Sequence, residues 1–405
     1  MDRPAPSRNN LLILFFFWPF AAFIRAAINF SNKDNVRIIY YFLILYGGTF
    51  VIGKGLDAYS YARDLKIAAG LPYTEFWNII GGIYASETSV DILGPLIIFI
   101  VSRVTSAPQI LFAVFAAIFG YFYLKAIYLI VDNYYSRVNY NVLTFLIFFL
   151  FINAIFNING FRFNMAVWLY FFGAYKVIIN KDYKYFLLSL ASALMHFSFI
   201  SAVIVLLIYM LVGNKDYIYI PLAVISFLIP NLLTPFVDPI SSFIGTGINV
   251  RMQGYTNQGY ITAVSEELSS MKWFMTTKIL YYYLIVVLIY SKIKLKEYSG
   301  FPVLKNIFSF SILFLSFANF ISVVPSGSRF LTVFYLFATL YIIILFFRIG
   351  RRSLHWITII GLFPMIVNTL IALRQGAETI NFWLFSIMPL PFLTDPISLS
   401  KIFFN

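Results

Sequence analysis

The chain has 405 residues, 61% of them hydrophobic and 11% charged, with a mean hydropathy of +0.85. Soluble domains carry roughly 25% charged residues, so a soluble enzyme is excluded and a polytopic membrane protein is expected. The net charge of +13 is split into short clusters between apolar runs, which is the pattern of topology signals and not of a nucleic-acid surface; the absence of cysteine removes disulfides, thiolate catalysis and Cys-metal sites, and two widely separated histidines do not make a zinc site.

Runs long enough to cross a bilayer, about 17 to 25 residues each, fall in chain order near 11–28, 36–53, 109–131, 138–157, 162–179, 217–232, 273–292, 303–322, 329–347, 354–372 and 380–394. Arg3 and Arg8 precede the first run in the manner of a signal peptide, but Pro19 and Arg25 interrupt it and no small-residue cleavage site follows. An attached helix or re-entrant hairpin is expected there. Two regions fit no simple count. Residues 86–104, SETSVDILGPLIIFIVSRV, carry Glu87, Asp91 and a Gly94-Pro95 break around a short apolar core. Residues 184–212 are too long for one pass and too short for two full ones, with His196 in the middle. The sequence contains no internal repeat, low-complexity tract or soluble domain, so the expectation is one all-α membrane domain over 1–405 with about 11–13 transmembrane helices.

Short loops rich in Lys and Arg are retained in the cytoplasm. Four clusters set the orientation: Lys176, Lys181 and Lys184; Lys215; Lys292, Lys294 and Lys296; and Arg348, Arg351 and Arg352. Placing all four inside makes 184–212 two short helices bent at His196. It puts Arg162, Arg329 and a polar loop over 233–272 outside. Arg137 is then inside, and the loop 53–108 lies outside provided that 86–104 is a juxtamembrane or re-entrant helix. Lys33 and Arg37 also fall inside, which leaves the N-terminus outside despite Arg3 and Arg8.

Arg162 lies in NINGFRFNMAVW between two apolar runs. A guanidinium facing lipid there would cost several kcal/mol, so it either snorkels to an interface or faces a polar cavity. Asn153, Asn157 and Asn159 beside a Gly turn favour an anion-holding role. Asp57, in GKGLDAYSYARDL, reads either as a base or as a solvated loop charge. His196, in SALMHFSF, reads as a structural histidine or as a functional group at a helix break. Arg329 opens a helix after PSGS with the same ambiguity as Arg162. The loop 233–272 contributes Arg251, Gln253, Tyr255, Asn257 and Tyr260, suited to a polyhydroxylated ligand or to plain solvation. Together these residues describe outward-facing cations for a phosphate-bearing group, one acid and one histidine.

The residues also carry a family resemblance. Gly55, Asp57 and Tyr61 form G-x-D-x-x-x-Y; PQILFAVFAAIFGYFYLKAI spans 108–127; NGFRFNMAVWLYFFGAYKVIINKDYKYF spans 159–186; and LASALMHFSFI spans 190–200. On these segments the chain resembles the EpsG-type polysaccharide polymerases, a Wzy-like family of bacterial membrane proteins that extend exopolysaccharide or O-antigen chains. It departs from them at Leu56, where Thr is common, and at SETSVDILGPL, where an E/D-P-G-F-like element is usual.

The resemblance implies a glycosyltransferase of the bacterial inner membrane that uses an undecaprenyl-diphosphate-linked oligosaccharide, with chain-length regulator and flippase proteins as partners, in a GT-C-like order of elements. Arg162 and Arg329 would stabilise the leaving diphosphate. Asp57, with His196 second, would take the acceptor proton. Asn159, Tyr61, Arg251 and Tyr255 would contact substrate. No cofactor is expected, and a divalent ion bridging Asp57 and diphosphate is left open. A lipid-linked oligosaccharide flippase, an O-antigen ligase and a membrane acyltransferase relying on His196 are the rival readings.

Overall fold

The structure, a computed structural model, describes residues 8–81, 91–135, 140–229, 272–294, 301–322, 326–349 and 354–403. Among them all regular structure is helical, apart from one isolated bridge between Asn381 and Ser398. That is what an apolar solvent demands, because a helix pairs its own backbone groups.

The first apolar run becomes α1 (Arg8–Phe17) and α2 (Pro19–Ile28), bent at Trp18, whose φ of −143° and ψ of 84° are not helical. Pro19, which has no N–H to give, sits at the first position of α2, where none is needed. Next come α3 (Lys33–Gly48), α4 (Asp57–Ala69), α5 (Glu75–Gly81) and α6 (Leu93–Ser102). The ten residues of α6 rise about 15 Å, half the hydrocarbon thickness of about 30 Å.

Helices α7 (Pro108–Tyr134), α8 (Tyr140–Ile152) and α9 (Phe161–Ile178) follow, with a 3-10 turn at Ile155–Gly160 between the last two. The residues over 184–212 form α10 (Phe186–Met195) and α11 (Phe199–Val212), broken at His196 where the sequence places the bend. The remaining helices of more than five residues are α12 (Asp216–Leu228), α13 (Lys272–Lys294), α14 (Pro302–Ile321), α15 (Leu331–Ile349) and α16 (His355–Ala377). Five stretches among the described residues are long and apolar enough to cross a membrane: Pro108–Tyr134, Tyr140–Ile178, Pro302–Ile321, Gly327–Ile349 and His355–Ala377. The protein is therefore an all-α, multi-pass membrane protein.

One expected span is corrected. The run 380–394 holds only a 3-10 turn, Phe382–Phe385, and a single helical turn, Leu390–Leu393. Pro389 and Pro391 deprive it of N–H donors that a spanning helix needs. It packs instead against the amino-terminal helices, with Trp18 Nε1 donating to Phe385 O at 2.9 Å and Met388 N to Phe17 O at 3.0 Å. The expected polar loop 233–272 lies, but for Lys272, outside the described residues.

Long-range contacts sort the helix ends into two levels. At one level Lys33 pairs with Asp132 (3.5 Å), Tyr134 with Tyr175 (3.2 Å between hydroxyls), Asn306 Nδ2 with Ile178 O (3.1 Å) and Lys292 with Asp216. This level gathers the described residues of the basic clusters. At the other, Phe115 stacks on Phe161 (3.9 Å), Tyr46 bonds Thr379 (2.8 Å) and Phe163 meets Phe330 (5.6 Å). Helices α9 and α15 run between the two levels, buried along most of their length by aromatic and aliphatic side chains such as Trp168, Tyr170, Phe337 and Tyr341. A helix apolar on every face belongs at the centre of the bundle.

Candidate active site

The site grows from the first turn of α9, at the level opposite the basic clusters. The chain reaches it through the 3-10 turn, which asparagines knit together. Asn153 Nδ2 donates to Asn164 O (2.9 Å), Asn157 Nδ2 to Asn153 Oδ1 (3.0 Å), and Asn164 Nδ2 to the carbonyls of Asn157 (3.1 Å) and Gly160 (3.0 Å). Carboxamides that the sequence offers as anion ligands are thus engaged in holding the turn. Asn159 has a different partner: its Oδ1 accepts from Ala58 N at 3.1 Å and so ties the first turn of α4 to the head of α9.

Helix α4 is fixed at its other end by Arg103. That guanidinium donates to Leu71 O (2.7 Å) and to Ala68 O, and lies 4.4 Å over the Phe99 ring. A cation on the last carbonyls of a helix suits the helix dipole. With both ends held, α4 presents Asp57 and Tyr61 towards α9. Asp57 is the first residue of α4 and is exposed; a Cβ on Gly160 would stand 3.6 Å from its Oδ2. Tyr61 is buried edge-on to Phe115 at 5.5 Å. Burial pushes its phenol above the usual value, with the Arg162 guanidinium pulling the other way.

Arg162 donates through Nη1 to Asp91 Oδ2 at 2.8 Å and through Nε to Tyr61 Oη at 3.4 Å. Its side chain is 36% exposed and that of Asp91 only 5%, so the acid is interior while the cation still faces out. A guanidinium has five N–H donors, and the remaining ones have no partner among the described residues. Asp91 Oδ1 accepts from Phe197 N at 2.9 Å, one residue past His196.

His196 sits in the break between α10 and α11, with Nδ1 2.7 Å from Ser198 Oγ and its ring edge-on to Phe163 at 5.3 Å. Arg329 is exposed and stands 6.0 Å from the same Phe163 ring. Phe163 therefore has the histidine and the second arginine as neighbours, one residue along α9 from Arg162. The structure brings Asp57, Tyr61, Asn159, Arg162, His196 and Arg329 around one helix end. Arg251 and Tyr255 lie outside the described residues. No cluster of three metal-ligating side chains occurs among the described residues.

Asp91 is the residue that sequence reasoning leaves out of the site. It is visible as an acid at the threshold of the apolar stretch 92–102, yet nothing in the sequence pairs it with a cation 71 positions away.

A family model, the EpsG family, matches residues 34–386. The chain belongs to the EpsG family. No curated protein and no solved structure matches it. The EpsG-family match runs from α3 to just past α16 and contains every residue of the site described above.

Proposed function

We propose that this EpsG-family protein is a polysaccharide polymerase, acting at the outer face of a bacterial inner membrane on undecaprenyl-diphosphate-linked repeat units. The observation that carries the proposal is Arg162: an arginine with donors to spare, held by Asp91 and Tyr61 at the end of the bundle opposite the basic clusters. In the reaction an acceptor sugar hydroxyl attacks the anomeric carbon of the donor glycan. The new glycosidic bond forms as the bond to diphosphate breaks, the hydroxyl proton passes to Asp57, and undecaprenyl diphosphate leaves. Negative charge accumulates on that leaving group, where the guanidinium groups of Arg162 and Arg329 stabilise it. Tyr61 remains a neutral phenol, and its own O–H stays a donor while its oxygen accepts from Arg162.

Proteoliposomes holding the purified protein and lipid-linked repeat units test this. The expected product is a ladder of lengthening lipid-linked glycans, and Asp57→Asn lowers its rate by at least about 10²-fold, the scale of a lost general base. Translocation without bond formation identifies a flippase instead, and transfer to another acceptor identifies a ligase. Wild-type ladders from Asp57→Asn reduce Asp57 to a solvated charge.

A further inference from the structure

We infer that Asp91 is the positioning residue of this site, clasping α6 to the break between α10 and α11 and, with the same carboxylate, aiming Arg162. The inference deepens the polymerase reading and rests on it.

The break at His196 frees backbone groups that a continuous helix would pair. In a water-poor setting each needs another partner. Ile92 N donates to Leu194 O at 3.0 Å, and Phe197 N donates to Asp91 Oδ1 at 2.9 Å. The start of α6 thus answers the break on both sides of His196. The second oxygen of the same carboxylate takes Arg162 Nη1 at 2.8 Å. One acid, its side chain 5% exposed, joins three segments that are distant in sequence.

Gly94 completes the arrangement. A Cβ there would stand 3.0 Å from both Cγ and Cδ of Arg162, so the arginine stem lies across a residue without a side chain. Asp91 holds the head of the arginine and Gly94 leaves room for its stem. Arg162 is therefore oriented before any ligand arrives, and the carboxylate offsets its charge. A fixed donor of moderated charge holds a resting anion less tightly than a free guanidinium would, and still meets charge that develops in the transition state.

Asp91→Asn separates these roles. Its side-chain oxygen still accepts from Phe197 N, while an NH₂ group replaces the oxygen that accepts from Arg162. Gly94→Ala tests the stem independently: alanine favours a helix over glycine, so a loss reports displaced Arg162 and not a weaker α6. Both variants, Arg162→Lys and the Asp91→Asn/Arg162→Lys double variant are assayed in proteoliposomes. The substrate is polyprenyl-diphosphate oligosaccharide extracted from source-strain cells deleted for this chain, and undecaprenyl diphosphate serves as the binding probe.

Asp91→Asn and Gly94→Ala are each expected to lower kcat roughly ten- to hundredfold, the scale of a misplaced catalytic donor. For Asp91→Asn, KM does not rise and undecaprenyl diphosphate binds more tightly. In the Arg162→Lys background Asp91→Asn costs less than about threefold, because coupled residues are not additive. Wild-type kcat in both single variants overturns the inference, as do losses that multiply in the double variant. An Asp91→Asn chain that fails to fold, beside a Gly94→Ala chain with wild-type kcat, reduces Asp91 to a structural clasp and also overturns it. If the unaltered protein makes no polymer, the polymerase reading fails separately. Asp91 is then judged by undecaprenyl diphosphate alone, and equal affinity for wild type and Asp91→Asn overturns the inference.

Discussion

A cation in the first turn of a helix opposes the partial positive charge of the unpaired N–H groups, at a cost of about 0.3–1 kcal/mol, and Arg162 is the second residue of α9. The carboxylate of Asp91 and the oxygen of Tyr61 offset that cost. Both bonds draw on the planar fork of a guanidinium, with further N–H groups left to face outward. Lysine offers a single ammonium on a flexible stem and cannot serve Asp91, Tyr61 and a diphosphate from one fixed position. Arg162→Lys is therefore expected to lower polymer turnover at least about tenfold, since a bidentate site does not accept the exchange. A snorkelling interfacial arginine would tolerate lysine, and full turnover of the lysine variant in proteoliposomes would establish that role instead. Arg162 stands out in the sequence because it interrupts apolar runs, and Asp57 because it belongs to the G-x-D-x-x-x-Y stretch. Asp91 does not, because its role exists only once α6 is folded against the helix break.

Helices α3 and α7 cross at Gly47, where a Cβ would come within 2.3 Å of Phe112 O and 2.5 Å of Ala116 Cβ. Small residues at helix crossings let backbones approach in membranes. The neighbouring Gly48 is different: a Cβ there meets only Ala113 at 3.8 Å and Phe392 at 3.9 Å. Gly47→Ala should overpack the crossing, at a cost of about 1–3 kcal/mol, whereas Gly48→Ala should be tolerated. Thermal unfolding of both variants in detergent checks this, and equal midpoints would mean that α3 and α7 do not pack as described. Most spanning elements can be read from the sequence because a run of about 20 apolar residues has few alternatives in lipid. The exceptions are governed by single residues. Trp18 and Pro19 bend the first run, and Pro389 and Pro391 keep 380–394 from becoming a helix, although both stretches are as apolar as true spans. The bend at His196 follows from length and charge, but the hydrogen bonds from Ile92 and Phe197 that make it affordable come from tertiary packing.

The whole molecule has a direction. Lys33, Lys176, Lys215 and Lys292 belong to one level of the bundle, while Asp57, Arg162 and His196 belong to the other. Lysines and arginines in short loops hold their loops in the cytoplasm, so the site is expected on the outer face, where a lipid-linked glycan would reach it. That expectation requires residues 53–108 to lie wholly on one side, and the length of α6 supports it, because about 15 Å of helix cannot cross a bilayer unaided. The chain has no cysteine, so single cysteines can be labelled without background. Ser60 and Ser106 are exposed at the site level, and Asn133 and Asn180 are exposed at the basic level. Ser60→Cys and Ser106→Cys should react with an impermeant maleimide in intact cells, and Asn133→Cys and Asn180→Cys only after permeabilisation. Labelling of Ser60→Cys and Asn133→Cys from the same side would contradict the two-level arrangement. Labelling of Ser60→Cys and Ser106→Cys from opposite sides would carry α6 across the membrane, part Asp57 from the outer face, and leave Arg162 without an acid positioned to take the acceptor's proton.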